Sequence, residues 1–320
     1  MSKRKTCDST VVSRETKCAA VMEHCECKPG VAKAALTRAE QQIGKYTRHA
    51  LDATSKTKYA AYALLISLPG SYIVDLTITL NEDNGALLSL LAEVLPRTCI
   101  TSLKLKMPIS NRGYSADGKG RPRYKRVDQQ EKDAFYAALA GLIRVLPQTR
   151  VVWLDIWAFN VSGACIEALA EVIPTTRLER LRLSEMEFSM QDARAIARLL
   201  PVSRITHLSV ETRSHMEHDQ FLKLLYALPR SSVEALHINF PVWTEPGMTM
   251  IIGVLETTRV YSCRFPLTPW GDDLDRCLEK NRQKHLHRLQ ILETVSGGGN
   301  DTLFCLFPRE LRDMVCAFLR

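Results

Sequence analysis

Pro174-Thr-Thr-Arg-Leu178-Glu-Arg-Leu181-Arg-Leu183 and Pro201-Val-Ser-Arg-Ile205-Thr-His-Leu208-Ser-Val210 are one pattern written twice, 27 residues apart. Each sets a proline ahead of an L-x-x-L-x-L spacing whose last two apolar positions are two apart, so they share one face of an extended strand. Outward from this pair the spacing recurs at Ile73/Leu76/Ile78, Ile100/Leu103/Leu105, Val151/Leu154/Ile156, Val233/Leu236/Ile238 and Val260/Cys263/Phe265. The middle positions advance by 27, 51, 27, 27, 28 and 27 residues. A second marker, the proline after an apolar run, stands at Pro69, Pro96, Pro147, Pro174, Pro201 and Pro229, and advances by 27, 51, 27, 27 and 28. Two markers with one period and one shared anomaly define an internal repeat.

Between the strands lie runs of helical period, at residues 86–95, 137–146, 164–173, 192–200, 221–228 and 248–255. The proline after each of the first five runs lacks a backbone N–H and pushes the residue before it toward extended geometry, turning the chain back to the next strand. One strand and one helix cannot bury both their faces alone, whereas stacked units share a continuous core that needs a cap at each end. The expected fold class is therefore α/β, a solenoid of strand–helix units. Here the chain resembles the ribonuclease-inhibitor-like leucine-rich repeats over about residues 58–290. The resemblance implies a horseshoe with parallel strands on the concave face, helices on the convex face, and a binding scaffold rather than an enzyme. Of the Asn or Cys often found three residues after the last strand leucine, only Asn81 is present.

The 51-residue step is 27 plus 24, which places an insertion over roughly residues 108–132. It contains no leucine, and between Arg112 and Arg126 six basic residues, Arg112, Lys119, Arg121, Arg123, Lys125 and Arg126, stand against one acid, Asp117, with Tyr114 and Tyr124 interleaved. Such a loop reads either as a solvated excursion or as an arm for phosphate or acidic-protein contact. Residues 1 to about 30 are polar and patternless, which predicts a disordered tail. Residues 31–57 are expected to form an N-terminal capping helix and residues 271–295 a C-terminal one, with repeats over 58–270. Ser296-Gly-Gly-Gly-Asn300 reads as a hinge before a last helix. In that helix Phe307-Pro308-x-Glu310-Leu311 resembles the opening of an F-box, and the segment 307–319 reads as an adaptor-recruiting element or as a helix covering the core.

Composition narrows the function classes. The chain of 320 residues is 46% hydrophobic and 24% charged, the balance of a core-forming protein. No apolar stretch approaches the roughly 20 residues a membrane-spanning helix needs. Met1-Ser-Lys-Arg-Lys leads into polar residues, so no secretory signal is expected. Ten dispersed cysteines point to a reducing compartment and an intracellular, cytosolic location. The formal charge of +8 favours acidic partners. There is no glycine-rich phosphate loop, metalloprotease motif or nucleophile elbow, and no enzyme or cofactor is expected. One C-x-C, at Cys25 and Cys27, lacks the second pair of a structural zinc site, and Cys277, His285 and His287 do not share a helix face.

The candidate site follows from strand alternation. The third, fifth and seventh positions of each L-x-x-L-x-L-x leave the core and line the concave face, on the order of 29 Å across for seven strands at about 4.8 Å spacing. They include Lys104 and Lys106, then Trp153, Asp155 and Trp157, then Arg180 and Arg182, followed by His207, His237 and Arg264. Exposed Trp beside Arg is the composition of binding hot spots. The leading expectation is a monomeric, non-catalytic scaffold that binds a protein partner with an acidic surface through this face. Alternatives are nucleic-acid or ribonucleoprotein binding through the basic insertion, and a substrate-recognition subunit of a ubiquitin ligase. Leucine-rich-repeat proteins with F-box-like pieces also occur among effectors that bacteria inject into host cells, a similarity of type that implies host proteins as targets and the host cytosol as location.

Overall fold

In the computed structural model, residues 13–25, 27–43, 48–52, 58–80, 84–107, 115–116, 122–123, 129–157, 163–186, 188–212, 217–238, 245–264 and 271–297 are described. The strands β1 (Arg48–Asp52), β2 (Asp75–Thr79), β3 (Ser102–Lys106), β6 (Trp153–Trp157), β7 (Arg180–Met186), β8 (His207–Thr212), β9 (Ala235–Ile238) and β10 (Ser262–Arg264) form one sheet in that order. Every neighbouring pair is parallel. Eight strands at about 4.8 Å make a sheet about 34 Å across. A separate antiparallel pair, β4 (Ser115–Ala116) and β5 (Pro122–Arg123), lies within the insertion.

Each turn of the repeat carries a helix back to the next strand: α4 (Gly85–Val94), α5 (Gln129–Arg144), α6 (Gly163–Val172), α7 (Met190–Leu199), α8 (His218–Ala227) and α9 (Glu245–Leu255). This is a solenoid-like α/β architecture, a parallel sheet with flanking helices. The alternating strand leucines, Leu154 and Ile156 or Leu181 and Leu183, are at most 1% exposed and share their core with helix residues such as Leu169 and Ile196. The intervening positions stay largely half-buried or exposed, so the other face of the sheet is open.

The proline does not simply follow the helix; it opens one 3-10 turn, Leu95–Arg97, Leu146–Gln148, Ile173–Thr175, Leu200–Val202 and Leu228–Arg230. A hydroxyl closes each turn. Thr98, Thr149, Thr176, Ser203 and Ser231 donate to the carbonyl three residues back at 2.8–2.9 Å. The same oxygens accept from the N–H two residues on at 3.3–3.4 Å. These hydroxyls are buried; each adds a second bond to a carbonyl that also accepts the backbone N–H of the same Thr or Ser, and each satisfies the N–H two residues on. The repeat is thus Leu/Ile-Pro-x-Thr/Ser before the strand, a longer signature than proline alone.

At the N-terminal end the expected disordered tail is corrected in part. Residues 14–25 form α1 (Arg14–Cys25), where Val21 is fully buried with Cys18 and Met22 packed partly against the core. This i, i+3, i+4 face is only three residues wide among Lys, Glu and Thr, too sparse to stand out in the sequence. The expected single cap over 31–57 is instead α2 (Pro29–Ile43), which buries Ala32, Leu36 and Ala39, followed by β1 extending the sheet and then α3 (Lys58–Ser67). At the other end α10 spans Gly271–Gly297 and includes Ser296 and Gly297 of the expected hinge. Its Asn281, 2% exposed, donates to the carbonyls of Leu255 and Val260 at 2.8 and 2.9 Å, closing the last unit. The remainder of the hinge, the F-box-like segment 307–319 and Asn81 lie outside the described residues.

The insertion is shorter than expected, because α5 begins at Gln129 and runs through residues assigned to the loop. Its first turns are polar and solvent-facing except for Phe135, which is 1% exposed in the core. No helix among the described residues is long and apolar enough to cross a membrane.

Candidate functional site on the open sheet face

Strand register builds the site. Lys104, Asp155, Arg182, Ser209, His237 and Arg264 are aligned across β3 to β10, and Ser102, Trp153, Arg180, His207, Ala235 and Ser262 form the row beside them. Lys106, Trp157, Ser184 and Glu211 make a third row. All ten sequence-predicted residues therefore stand on one sheet, within three adjacent rows. Arg264 is placed by its backbone pairing with His237. Arg123 of the insertion sits in β5 and pairs with Ser115, while Arg112, Lys119, Arg121, Lys125 and Arg126 lie outside the described residues.

The two tryptophans differ. Trp153 is half-buried and held between cations from both neighbouring strands, with Lys104 Nζ 4.1 Å and Arg180 Cζ 5.9 Å from its ring centroid. Each such contact contributes about 0.5–1 kcal/mol at a solvated site. Trp157 has Lys106 Nζ at 5.8 Å and the small Ser184 as its register neighbour on β7, and it is 39% exposed. Trp153 is thus covered by Lys104 and Arg180, while Trp157 is the more exposed of the two rings.

Arg182 does not bind its register neighbour Asp155. Its guanidinium crosses diagonally to Glu211, with Nη2 at 2.9 Å from Oε1, while Nε donates to Ser184 Oγ at 3.1 Å. Ser209 Oγ donates to Glu211 at 3.1 Å and His237 Nδ1 lies 3.4 Å away. Burial raises the Glu211 carboxyl, but the Arg182 hydrogen bond and charge, with Ser209 and His237, outweigh it and hold the group below the usual range. Burial pushes Asp155 up, and the attraction of Arg182, Lys104 and Lys106 does not reverse it. His207 is pushed down by burial and then by Arg180, which favours its neutral form; its Nδ1 sits 3.0 Å from Thr206 Oγ1. No family model and no curated protein matches the chain.

Glu211 is the functional neighbour that sequence reasoning missed. It occupies an outward position, and diagonal pairing across two strands was the signal available. Trp153, Arg180, His207, His237, Ser262 and Cys263 line a shallow groove of about 470 Å³ across β6 to β10. Of the residues considered as metal ligands, Cys277 is buried with its Sγ 3.8 Å from the Ile252 carbonyl, and His285 Nδ1 lies 3.7 Å from Glu234. Chemically, the face offers an exposed aromatic ring and supported cations.

Proposed function

We propose that the chain is a non-catalytic leucine-rich-repeat horseshoe that captures a partner protein through its concave face, here the open face of the sheet. The observation that carries this reading is the row Lys106–Trp157 beside the cation-sandwiched Trp153, an exposed ring set among positive charges. Large apolar exposure within a cationic field marks a contact surface, and Trp with Arg is enriched at hot spots. The complementary partner surface is acidic with an apolar projection that packs on Trp157. The groove on this face, about 470 Å³, is within the size of a metabolite pocket but opens along several strands, the form of an extended contact surface.

The test is affinity purification from a eukaryotic lysate with nuclease present, wild type beside Trp157→Ala/Lys106→Ala. A partner that survives nuclease and is recovered at least about tenfold less by the variant, the loss of a hot spot of about 1.4 kcal/mol or more, supports the reading. Equal recovery by both proteins, or recovery that vanishes with nuclease, refutes it.

A further inference from the structure

The helix side carries a second cationic feature with a different construction. At three helix junctions a cation or amide of one unit is paired with an acid of its neighbour. Arg144 Nε lies 3.5 Å from Glu171 between α5 and α6. Gln191 Nε2 donates to Glu167 at 3.3 Å between α6 and α7. Lys280 Nζ lies 3.2 Å from Glu256 between α9 and α10.

Between α7 and α8 this pattern breaks. A groove of about 1020 Å³ runs there, lined by Arg194 and Arg198 of α7, Lys223 of α8 and Arg230 of the following 3-10 turn. Among the described residues no carboxylate lines it. Ala197 and Ala227 are half-buried between the cations, and Tyr226 stands 57% exposed beside them. Four like charges gathered without a counter-ion raise the local potential, and an anionic occupant relieves it.

The mixture of groups selects the occupant. At about 1020 Å³ the groove is at the upper limit of metabolite pockets, so size alone does not choose among occupants. Inorganic phosphate would use the charges and leave the alanines and Tyr226 without a partner. A nucleic-acid backbone matches the charges but brings no aliphatic group for the wall between the helices. An acidic peptide with interspersed apolar side chains uses both, by laying its apolar face between two helices and its carboxylates on the cationic lips. We propose that the α7/α8 groove is a second docking site, for an acidic amphipathic segment of a partner protein, separate from the open sheet face.

The probe is a random peptide library displayed on phage, panned against the immobilised full chain and against Arg194→Glu/Arg198→Glu. Wild type is expected to enrich peptides that combine Asp or Glu with apolar side chains. A synthetic copy of the dominant peptide, followed by fluorescence anisotropy, is expected to bind the reversed variant at least about tenfold more weakly, because like charges placed across a contact are strongly unfavourable. Arg194→Gln/Arg198→Gln is expected to give an intermediate loss, and Trp157→Ala none. Both pairs are surface-exposed, and matching circular dichroism and melting curves separate lost binding from lost folding. The proposal is overturned by enrichment without acidic residues, by no enrichment, or by binding that survives the reversal. Loss with Trp157→Ala, or tighter binding of a single-stranded oligonucleotide to the same residues, overturns it equally.

Discussion

Asp155 and Glu211 are two carboxylates on one open sheet face, two strands apart, and their surroundings push them in opposite directions. Glu211 accepts from Arg182 and Ser209 and faces His237, so its ionised form is held in place. Asp155 has three cations nearby, yet among the described residues no donor reaches its carboxylate, and burial prevails. A hydrogen bond aimed at an oxygen outweighs desolvation where a merely nearby charge does not. The cations divide along the same line. In the Glu211 half, Arg182 is paired with a carboxylate; in the tryptophan half, Lys104, Lys106 and Arg180 lean on rings.

The largest effect sharpens this contrast by separating scaffold from site on one strand. Leu154 points inward from β6 at 1% exposure, and Leu154→Ala is expected to cost about 2–5 kcal/mol through lost burial and a residual cavity. Trp157, on the opposite face of the same strand, is expected to cost under about 1 kcal/mol as Trp157→Ala, since a surface cation–π contact is the main loss. Urea denaturation reads both. A Trp157→Ala penalty near that of Leu154→Ala would make the ring part of the core and end its reading as a contact.

Next is Arg182→Ala, which removes the partner of Glu211. We expect about 1.5 kcal/mol, the lower end for a charge-assisted hydrogen bond because Arg182 is 46% exposed. The sign of the pH dependence follows from the depressed Glu211 pKa. Its stabilisation is present above the unfolded carboxyl value of 4.5 and is lost as pH falls through the lower folded value. Stability curves of wild type and Arg182→Ala should therefore converge in acid. Lys104→Ala, on the tryptophan side, should not change the acid limb to the same degree.

Much of this arrangement was legible in the sequence, and the reasons are specific. Strand alternation fixes which side chains point outward, and the 27-residue period fixes which of them align, so Lys104, Asp155 and Arg182 were placed in one row before any coordinates. The helix positions followed from apolar period, except at α5, where Phe135 is the lone core residue in a polar opening turn. Side-chain choice within the row was not legible. Arg182 reaches both Asp155 and Glu211 in principle, and only the rotamer that also donates to Ser184 decides between them. The α1 helix and strand β1 escaped for a different cause: each is stabilised by packing on the first repeats rather than by its own pattern.

A third, smaller effect concerns the backbone of the Glu211 half. Strands β3, β6 and β7 pair in unbroken register, whereas β7 and β8 shift between Ser184 and Met186. Glu185, at the shift, adopts φ of 60°, a left-handed conformation that costs a non-glycine residue about 1 kcal/mol. Glu185→Gly is expected to raise stability by about that amount while leaving the acid limb intact, because Ser184 and Glu211 keep their pairing. Loss of stability would mean that the Glu185 side chain holds the bulge in place.

The smallest effect tests Asp155 itself. Its folded pKa is raised, so its contribution is fully present below the unfolded value of 3.8 and declines as pH rises through the folded value. At neutral pH the ionised carboxylate is therefore a small net cost, even between Lys104 and Arg182. Asp155→Asn keeps the shape and removes the charge. Its melting temperature should match that of wild type at pH 3 and exceed it at pH 7, opposite in sign to the expected profile of Glu211→Gln. A lower melting temperature at pH 7 would show that the flanking cations outweigh burial and that the two carboxylates behave alike. The cost of keeping Asp155 ionised would then vanish, and with it the contrast between a carboxylate secured by hydrogen bonds and one flanked only by nearby charges.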